Sequence, residues 1–118
     1  MNTIKVIVLA LFCFLGTAFT FFHHGWANYD EEKTLDYTGI IQESTYENPH
    51  ATAKVNFKDK IWTVVLAPTS RMQERGVTAD MLKKGTTIRA VGHPHREIKD
   101  EMRAERIFIK GKKYEMRR

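Results

Sequence analysis

A chain of 118 residues with one cysteine, Cys13, and a formal net charge of +5 limits what this protein can be. Cys13 lies inside an apolar leader, so a chain that loses the leader has no cysteine. That excludes a thiol nucleophile, a disulfide framework and a Cys-ligated metal site. The roughly 95 to 100 residues that remain suffice for one small domain with one modest core.

Residues 1–18 are predicted to be a signal peptide. Lys5 supplies the positive n-region, residues 6–15 form an apolar run, and cleavage is expected after Ala18, which follows small residues. The alternative is an uncleaved inner-membrane anchor, because the apolar character continues through Phe22 and reaches about 17 residues, the lower edge of a bilayer span. We therefore predict a periplasmic or secreted protein without a transmembrane helix in its mature part.

Residues 19–33 are predicted to form an N-terminal arm, and residues 34–118 one domain with a basic C-terminal end. Without Lys5 the chain keeps 18 basic and 14 acidic residues, a net charge of +4. Much of the excess lies after residue 109. We interpret this end as a solvated terminus that keeps the domain soluble. The alternative is a segment that attracts phosphate or an anionic membrane surface.

The domain is predicted to begin with three strands. Residues 35–46 are rich in Thr, Tyr and Ile, with Gly39 at a point where a bend or bulge would fit. Residues 51–57 alternate apolar and polar side chains, which predicts a strand with one buried face. A turn at Asp59-Lys60 leads into residues 61–67, a nearly continuous apolar run predicted to be buried on both sides.

A helical segment follows Pro68. Ser70 with Gln73 three residues later matches a capping box, and Gly76 is placed to end the helix in a left-handed conformation. Thr78 is predicted to start a second helical turn, which Gly85 closes. The spacing of these signals leaves room only for short helices.

Two further strands complete the chain. Residues 86–91 and 102–109 are the predicted fourth and fifth strands, with a loop over residues 92–101 between them. Three strands, a helical segment and two strands is the order of an OB fold. We therefore predict a mainly β protein, a small five-stranded OB-like barrel with a short helical segment between strands 3 and 4. A different small open barrel or an α+β sheet is the alternative.

The histidines suggest a metal site on this barrel. OB folds bind ligands on the face of strands 2 and 3, between the loops that join strands 1–2 and 4–5. His50 falls in the first loop, His93 and His95 fall in the second, and His23 and His24 lie on the arm. Converging imidazoles suit copper or zinc. We predict a metal site of His50, His93 and His95, with His23 and His24 as additional ligands.

A structural role for the same histidines is the alternative interpretation. Single loop histidines are more often structural or simply exposed. His93 could hydrogen-bond to the backbone, and His50 could cap the turn that follows Asn48-Pro49. No spacing matches a specific metal motif such as His-Glu-x-x-His.

The sequence gives little support for other functions. Its two serines after the leader, Ser44 and Ser70, are not in a nucleophile elbow, and no carboxylate pair is fixed by the pattern, so an enzyme is not favoured. Tyr46 and Phe57 beside Lys54 could bind single-stranded nucleic acid, as OB surfaces do. An export signal argues against that partner, and we expect no nucleic acid.

The chain resembles a family of small, uncharacterised, exported bacterial proteins. The resemblance rests on His23-His24 with Trp26, on Asn48-Pro49-His50 and on Gly92-His93-Pro94, and it extends from His23 to about Ile109. It implies an OB-like barrel in the periplasm and no particular chemistry. In similar sequences the His-His pair directly follows the cleavage site, whereas here residues 19–22 intervene.

Two functions are compatible with these observations. The first is a periplasmic binding module that carries or senses copper or zinc through its histidines. The second is a structural or protein-interaction domain of the cell envelope that binds no metal and contacts an envelope protein.

Overall fold

The computed structural model describes residues 25–118, so the predicted signal peptide, His23 and His24 lie outside the described residues. A 3-10 turn at Trp26–Asn28 precedes six strands, one α-helix and a second 3-10 turn. These are β1 (Leu35–Thr45), β2 (Thr52–Phe57), β3 (Lys60–Val65), α1 (Thr69–Glu74), the 3-10 turn Ala79–Leu82, β4 (Thr87–Pro94), β5 (Glu101–Ile109) and β6 (Lys112–Glu115).

The first five strands close into a barrel. Along the sheet the strand order is β3-β2-β1-β4-β5-β6, and a parallel pairing of β3 with β5, from Thr63↔Glu101 to Val65↔Arg103, joins the ends. α1 lies between β3 and β4 in the chain. The predicted mainly β, five-stranded OB-like barrel with a short helical segment is confirmed.

β1 serves both halves of the barrel, and this requires it to bend. Its first half pairs with β4 and its second half with β2. A Cβ atom on Gly39 would lie 2.0 Å from the Asn56 carbonyl oxygen, so only glycine permits this approach. The bulge itself falls between Ile41 and Glu43. Two features therefore produce the predicted bend in mid-strand, the missing side chain at Gly39 and the β-bulge that follows it.

The core fills the barrel and its helical end. Alternate residues of the strands point inward, including Ile41, Val55, Ile88 and Ile107, which are fully buried. Met72 is the buried residue of α1 and packs in the same cluster. Each such side chain contributes about 1.5–3 kcal/mol by leaving water. Because this interior faces only one side of each strand, the outer side is left for solvent and for function.

Strand β3 differs from its prediction. It ends at Val65, and its first residues, Lys60 and Ile61, are exposed rather than buried on both sides. A barrel strand has a single inner face, so the apolar run did not indicate two-sided burial. The turn before it lies at Lys58-Asp59, where both residues have positive φ (50° and 66°), one residue earlier than predicted.

The predicted capping box of α1 is wrong. The helix begins at Thr69, Pro68 is the N-cap, and no side chain caps the first turn. Thr69 instead donates a hydrogen bond to the Asn48 side chain at 2.9 Å, which ties the helix to the loop between β1 and β2. Gly76 has a φ of +87°, as predicted for its left-handed conformation.

The C-terminal part holds more strand than predicted. β4 continues through Pro94, so His93 lies within a strand and only His95 enters the loop. The chain after Lys110-Gly111 is not a loose basic end but β6, which pairs with β5 and buries Tyr114. Tyr114 and Met116 are both buried and lie two residues apart, which is a strand pattern. The lysines around them favoured interpretation of the segment as a solvated end instead.

Candidate functional site

The N-terminal arm docks on the barrel through backbone hydrogen bonds and one indole. The Asp30 N–H donates to the Pro94 carbonyl at 2.8 Å, and the Arg96 N–H donates to the Asn28 carbonyl at 2.9 Å. The Trp26 ring has two guanidinium groups over it, that of Arg103 at 4.5 Å and that of Arg117 at 4.2 Å. The arm therefore covers one end of the barrel beside β4 and β5.

His93 is held in one tautomer under this arm. It is 6% exposed, and its Nδ1 lies 2.6 Å from the Lys33 carbonyl oxygen. Because a carbonyl oxygen only accepts, Nδ1 carries a proton, and the neutral form of the ring therefore has its lone pair on Nε2. That Nε2 lies 3.4 Å from Oε1 of Glu105. The imidazole thus presents its free nitrogen to a carboxylate.

A second carboxylate completes a triad of ligand atoms, which we call the arm triad. The ligand atoms of Glu31, His93 and Glu105 lie within 4.8 Å of one another, and no other group of three His, Asp, Glu or Cys residues in the range 25–118 does so. Arg117 donates through Nη1 to Glu105 at 2.8 Å and also to Glu31. A guanidinium therefore occupies the carboxylate side of the triad.

The charges around Glu105 explain its ionisation. Burial raises the pKa of the Glu105 carboxyl, but the hydrogen bond from Arg117, together with the interaction with His93 in its protonated form, outweighs burial and leaves the pKa below its ordinary value. Glu105 is therefore a carboxylate at neutral pH. A carboxylate beside a lone-pair imidazole nitrogen is a cation-binding arrangement.

Both ring nitrogens of His95 face groups of the protein itself. Its Nδ1 accepts hydrogen bonds from the backbone N–H groups of Glu97 and Ile98 at 3.0 and 2.9 Å. The proton of the neutral ring is therefore on Nε2, which faces a carboxylate oxygen of Glu101 at 4.0 Å. His95 organises the loop between β4 and β5 in this conformation.

His50 and His95 line one cavity, which we call the rim cavity. It has a volume of about 370 Å³ and lies between the β1–β2 loop, the β4–β5 loop and the arm. Its polar lining includes Tyr29, His50, His95, Glu101 and Arg103, and its apolar lining includes Pro49, Val65 and Ile98. This is the rim at which OB folds bind ligands.

Arg103 is the unusual member of this lining. It is 7% exposed, and its Nη2 donates to Nε2 of His50 at 3.2 Å. Among residues 25–118, its Nε has no hydrogen-bond partner and its guanidinium forms no ion pair with a carboxylate. Burial lowers its pKa, although Tyr29 opposes that shift. A buried cation that has no counter-ion in the described part of the chain thus borders an open cavity.

The five predicted metal ligands therefore fall into three places. His50 and His95 share the rim cavity, His93 belongs to the arm triad, and His23 and His24 lie outside the described residues. Metal binding by the predicted set stays a prediction.

The residues that sequence reasoning missed, Glu31, Glu105 and Arg103, were not singled out because charged residues on an arm or a strand usually face solvent. The i, i+2 spacing of Arg103 and Glu105 along β5 was an available signal, since it puts both on one side of a strand whose neighbours are apolar.

None of the helices within residues 25–118 has the length and hydropathy needed to cross a membrane. A search of curated proteins finds no match. The model of DUF6152, a family of unknown function, matches residues 11–103, and the chain belongs to that family.

Proposed function

We propose that this protein is an exported binding module of the cell envelope that holds a divalent transition-metal ion, zinc before copper, at the arm triad. One observation carries the proposal. The lone-pair nitrogen of a buried histidine, His93, lies within 4.8 Å of two carboxylates that converge on it, Glu31 and Glu105. Export is inferred from the leader of residues 1–18.

The second contact of His93 supports its role as a ligand. Metal-bound histidines almost always donate their other ring N–H to a carbonyl or carboxylate, which fixes the tautomer and orients the ring. The Lys33 carbonyl is in that position at 2.6 Å. Trp26 further confines the ring in an edge-to-face contact with centroids 6.2 Å apart. His93 is therefore oriented before any ion arrives.

The donor set favours zinc. One imidazole nitrogen and two carboxylate oxygens are three zinc ligands, and a water or a partner's side chain can take the fourth tetrahedral position. Copper(II) prefers more nitrogen donors. The site differs from the one predicted from sequence, because two of its three ligands are carboxylates and only His93 comes from the predicted histidines.

Arg117 balances the charge of the triad in the absence of metal. Its guanidinium contacts both carboxylates, so an incoming dication must displace it from Glu105 and Glu31. The exchange replaces one positive charge with two beside two carboxylates. Zinc binding and the contacts of Arg117 are therefore competing events, and that competition distinguishes a metal site from a purely structural ion pair.

Calorimetric titration of the purified protein with zinc, and separately with copper(II), tests the proposal. The wild type is expected to bind one zinc ion, and His93→Gln is expected to bind it at least about tenfold more weakly. His95→Gln is the matched control, because Nδ1 of that ring is already occupied by backbone N–H groups. Absence of saturable zinc binding by the wild type, or equal binding by His93→Gln, rejects the metal function.

Arg117→Gln is expected to change zinc affinity in the opposite direction from His93→Gln. Removal of the competing guanidinium is expected to tighten zinc binding about two- to fivefold, the equivalent of an exposed ion pair of up to about 1 kcal/mol. A metal-independent salt bridge predicts no gain. The fluorescence of Trp26, read in a Trp62→Phe background, should change with zinc because Trp26 contacts both His93 and Arg117.

A separate observation favours protein interaction as a second candidate function. Ile40 and Ile61 are 49% and 46% exposed, and each pairs with Asn56 across neighbouring strands, so all three lie in one row on the outer face. Sedimentation at rising concentration tests self-association through this row. Identical behaviour of the wild type and an Ile40→Glu, Ile61→Glu variant would remove self-association as the function of this face.

A further inference from the structure

We infer that the rim cavity binds a small organic carboxylate, with Arg103 as the anchor of the carboxylate group. The inference does not depend on the proposed metal function, since no residue of the arm triad lines the rim cavity. The ligand class follows from charge, hydrogen bonding and shape, in that order.

Charge is the first step. A buried cation is costly unless an anion or several hydrogen bonds compensate it. Arg103 is buried and has the like-charged Arg71 and Arg117 near enough to lower its pKa further. The carboxylate that shares the cavity is Glu101, which is not within ion-pair distance of Arg103 and accepts the Tyr29 hydroxyl at 2.8 Å instead. The compensating anion must therefore come from outside the described residues.

Hydrogen bonding gives the second step. A guanidinium has five N–H donors, and within residues 25–118 the Arg103 side chain donates one hydrogen bond, to His50. Its Nε has none. Buried donors without partners are rare in native proteins and call for an explanation. A ligand carboxylate in the rim cavity supplies an acceptor to the side of the guanidinium that lines the cavity.

Planarity selects a carboxylate. The rigid fork of an arginine matches the two oxygens of a carboxylate in a bidentate pair. Trp26 lies against the Arg103 guanidinium at 4.5 Å, and His50 holds its Nη2. These contacts fix the guanidinium before binding, so little side-chain entropy is lost when the ligand arrives.

The opposite side of the cavity defines the rest of the ligand. Glu101 precedes Arg103 by two residues on β5, which places the two on one side of the strand about 7 Å apart. A carboxylate there repels a second ligand anion and accepts a hydrogen bond from an amino or hydroxyl group. Apolar walls at Val65 and Ile98 suit a short carbon chain between the two ends. The geometry points to a monocarboxylate with a donor about four carbons away.

NMR titration in metal-free Tris buffer tests the inference with four probes. These are 4-aminobutyrate, butyrate, the neutral butyramide and inorganic phosphate. Saturable shifts of the Arg103 Nε–H and of the His50 and Thr52 amides are expected with 4-aminobutyrate and, more weakly, with butyrate. Butyramide is expected to bind at least about tenfold more weakly than butyrate. No saturable shift with either carboxylate, or saturation only with phosphate, overturns the assignment.

Substitution of the anchor separates binding from stability. Arg103→Met keeps much of the side-chain volume without charge, and we expect 4-aminobutyrate to bind at least about 30-fold more weakly. Thermal stability should be unchanged or higher, because a buried uncompensated charge is removed. Arg75→Met makes the same charge change on an exposed helix end and should bind like the wild type. Unchanged binding by Arg103→Met refutes the inference.

Arg103→Lys keeps the test decisive if the methionine variant does not fold. Lysine retains the charge and loses the fork, so affinity for butyrate should fall about tenfold while the fold persists. Equal affinity of Arg103→Lys and the wild type would show that the planar fork is not used, which also refutes carboxylate capture by Arg103. Because the solutions contain no metal, either result leaves the zinc titration unaffected.

Discussion

Arg117 Nη1 lies 2.8 Å from Oε1 of Glu105, so the end of the chain closes over the side of β5 on which the N-terminal arm rests. The same nitrogen contacts Glu31 of the arm. The β5–β6 hairpin makes this possible, since it carries the chain back along β5 and leaves Arg117 just beyond β6. Two chain segments separated by the whole barrel are thus joined through one guanidinium.

This junction predicts a local effect for Arg117→Gln. The ion pairs are partly exposed, so the free energy of unfolding should fall by no more than about 1 kcal/mol. The arm should loosen, because Arg117 also lies over Trp26 at 4.2 Å. Hydrogen exchange of the Asp30 amide, which donates to Pro94, measures the loosening. Arg118→Gln removes the same charge from the exposed neighbour, and equal exchange in both variants would contradict the prediction.

Gly92→Ala is predicted to disrupt the barrel where the backbones of β4 and β5 lie close together. A Cβ atom there would lie 2.0 Å from the Arg103 carbonyl oxygen and 2.8 Å from Cα of Ala104, so the backbones of β4 and β5 must separate. We expect a loss of about 3 kcal/mol or more in urea unfolding. Gly25→Ala, whose Cβ would have no neighbour closer than 4.0 Å, is the control. A decrease of less than about 1 kcal/mol in the free energy of unfolding would contradict the prediction, because it would mean that β4 and β5 can separate at little cost.

Tyr29 is predicted to ionise only in strongly alkaline solution. Burial raises its pKa, and the hydrogen bond to the Glu101 carboxylate raises it further. With the pKa higher in the folded state, this contribution to stability is complete below pH 10 and is lost as pH rises through the folded-state pKa. The difference in alkaline absorbance titration between the wild type and Tyr29→Phe isolates this hydroxyl. A Tyr29 transition centred at pH 10 would refute the prediction.

The fold could be predicted from local patterns, because its strands and helix ends are each encoded by a pattern among residues that are neighbours in the sequence. The alternation over residues 51–57 is one such pattern, and it predicts a strand. Gly76 and Gly85 are another, since both glycines have positive φ at the ends of helical segments. The sequence did not indicate that Gly92, His93 and Pro94 belong to a strand, since these residue types are also common in loops. β4 extends through them only because β5 supplies partners up to Met102.

The site could be predicted only in part. Loop positions alone brought His50 and His95 to one rim, because loop placement follows from topology. The direction of each lone pair depends on contacts that no spacing encodes, such as the Lys33 carbonyl at His93. The partners Glu31 and Glu105 are 74 residues apart and meet only through tertiary docking of the arm.

The last prediction concerns the loop that bounds the rim cavity. His95 accepts hydrogen bonds from the N–H groups of Glu97 and Ile98, so His95→Ala leaves two donors without their acceptor. We expect a loss of about 1–2 kcal/mol in stability and faster exchange of the Ile98 amide. His95→Asn is the matched variant, because an asparagine oxygen accepts from the backbone two residues ahead in an Asx turn. It should recover at least half of the loss. If His95→Asn is as unstable as His95→Ala, then the ring's packing against Tyr29, with centroids 5.1 Å apart, rather than its Nδ1, holds the loop.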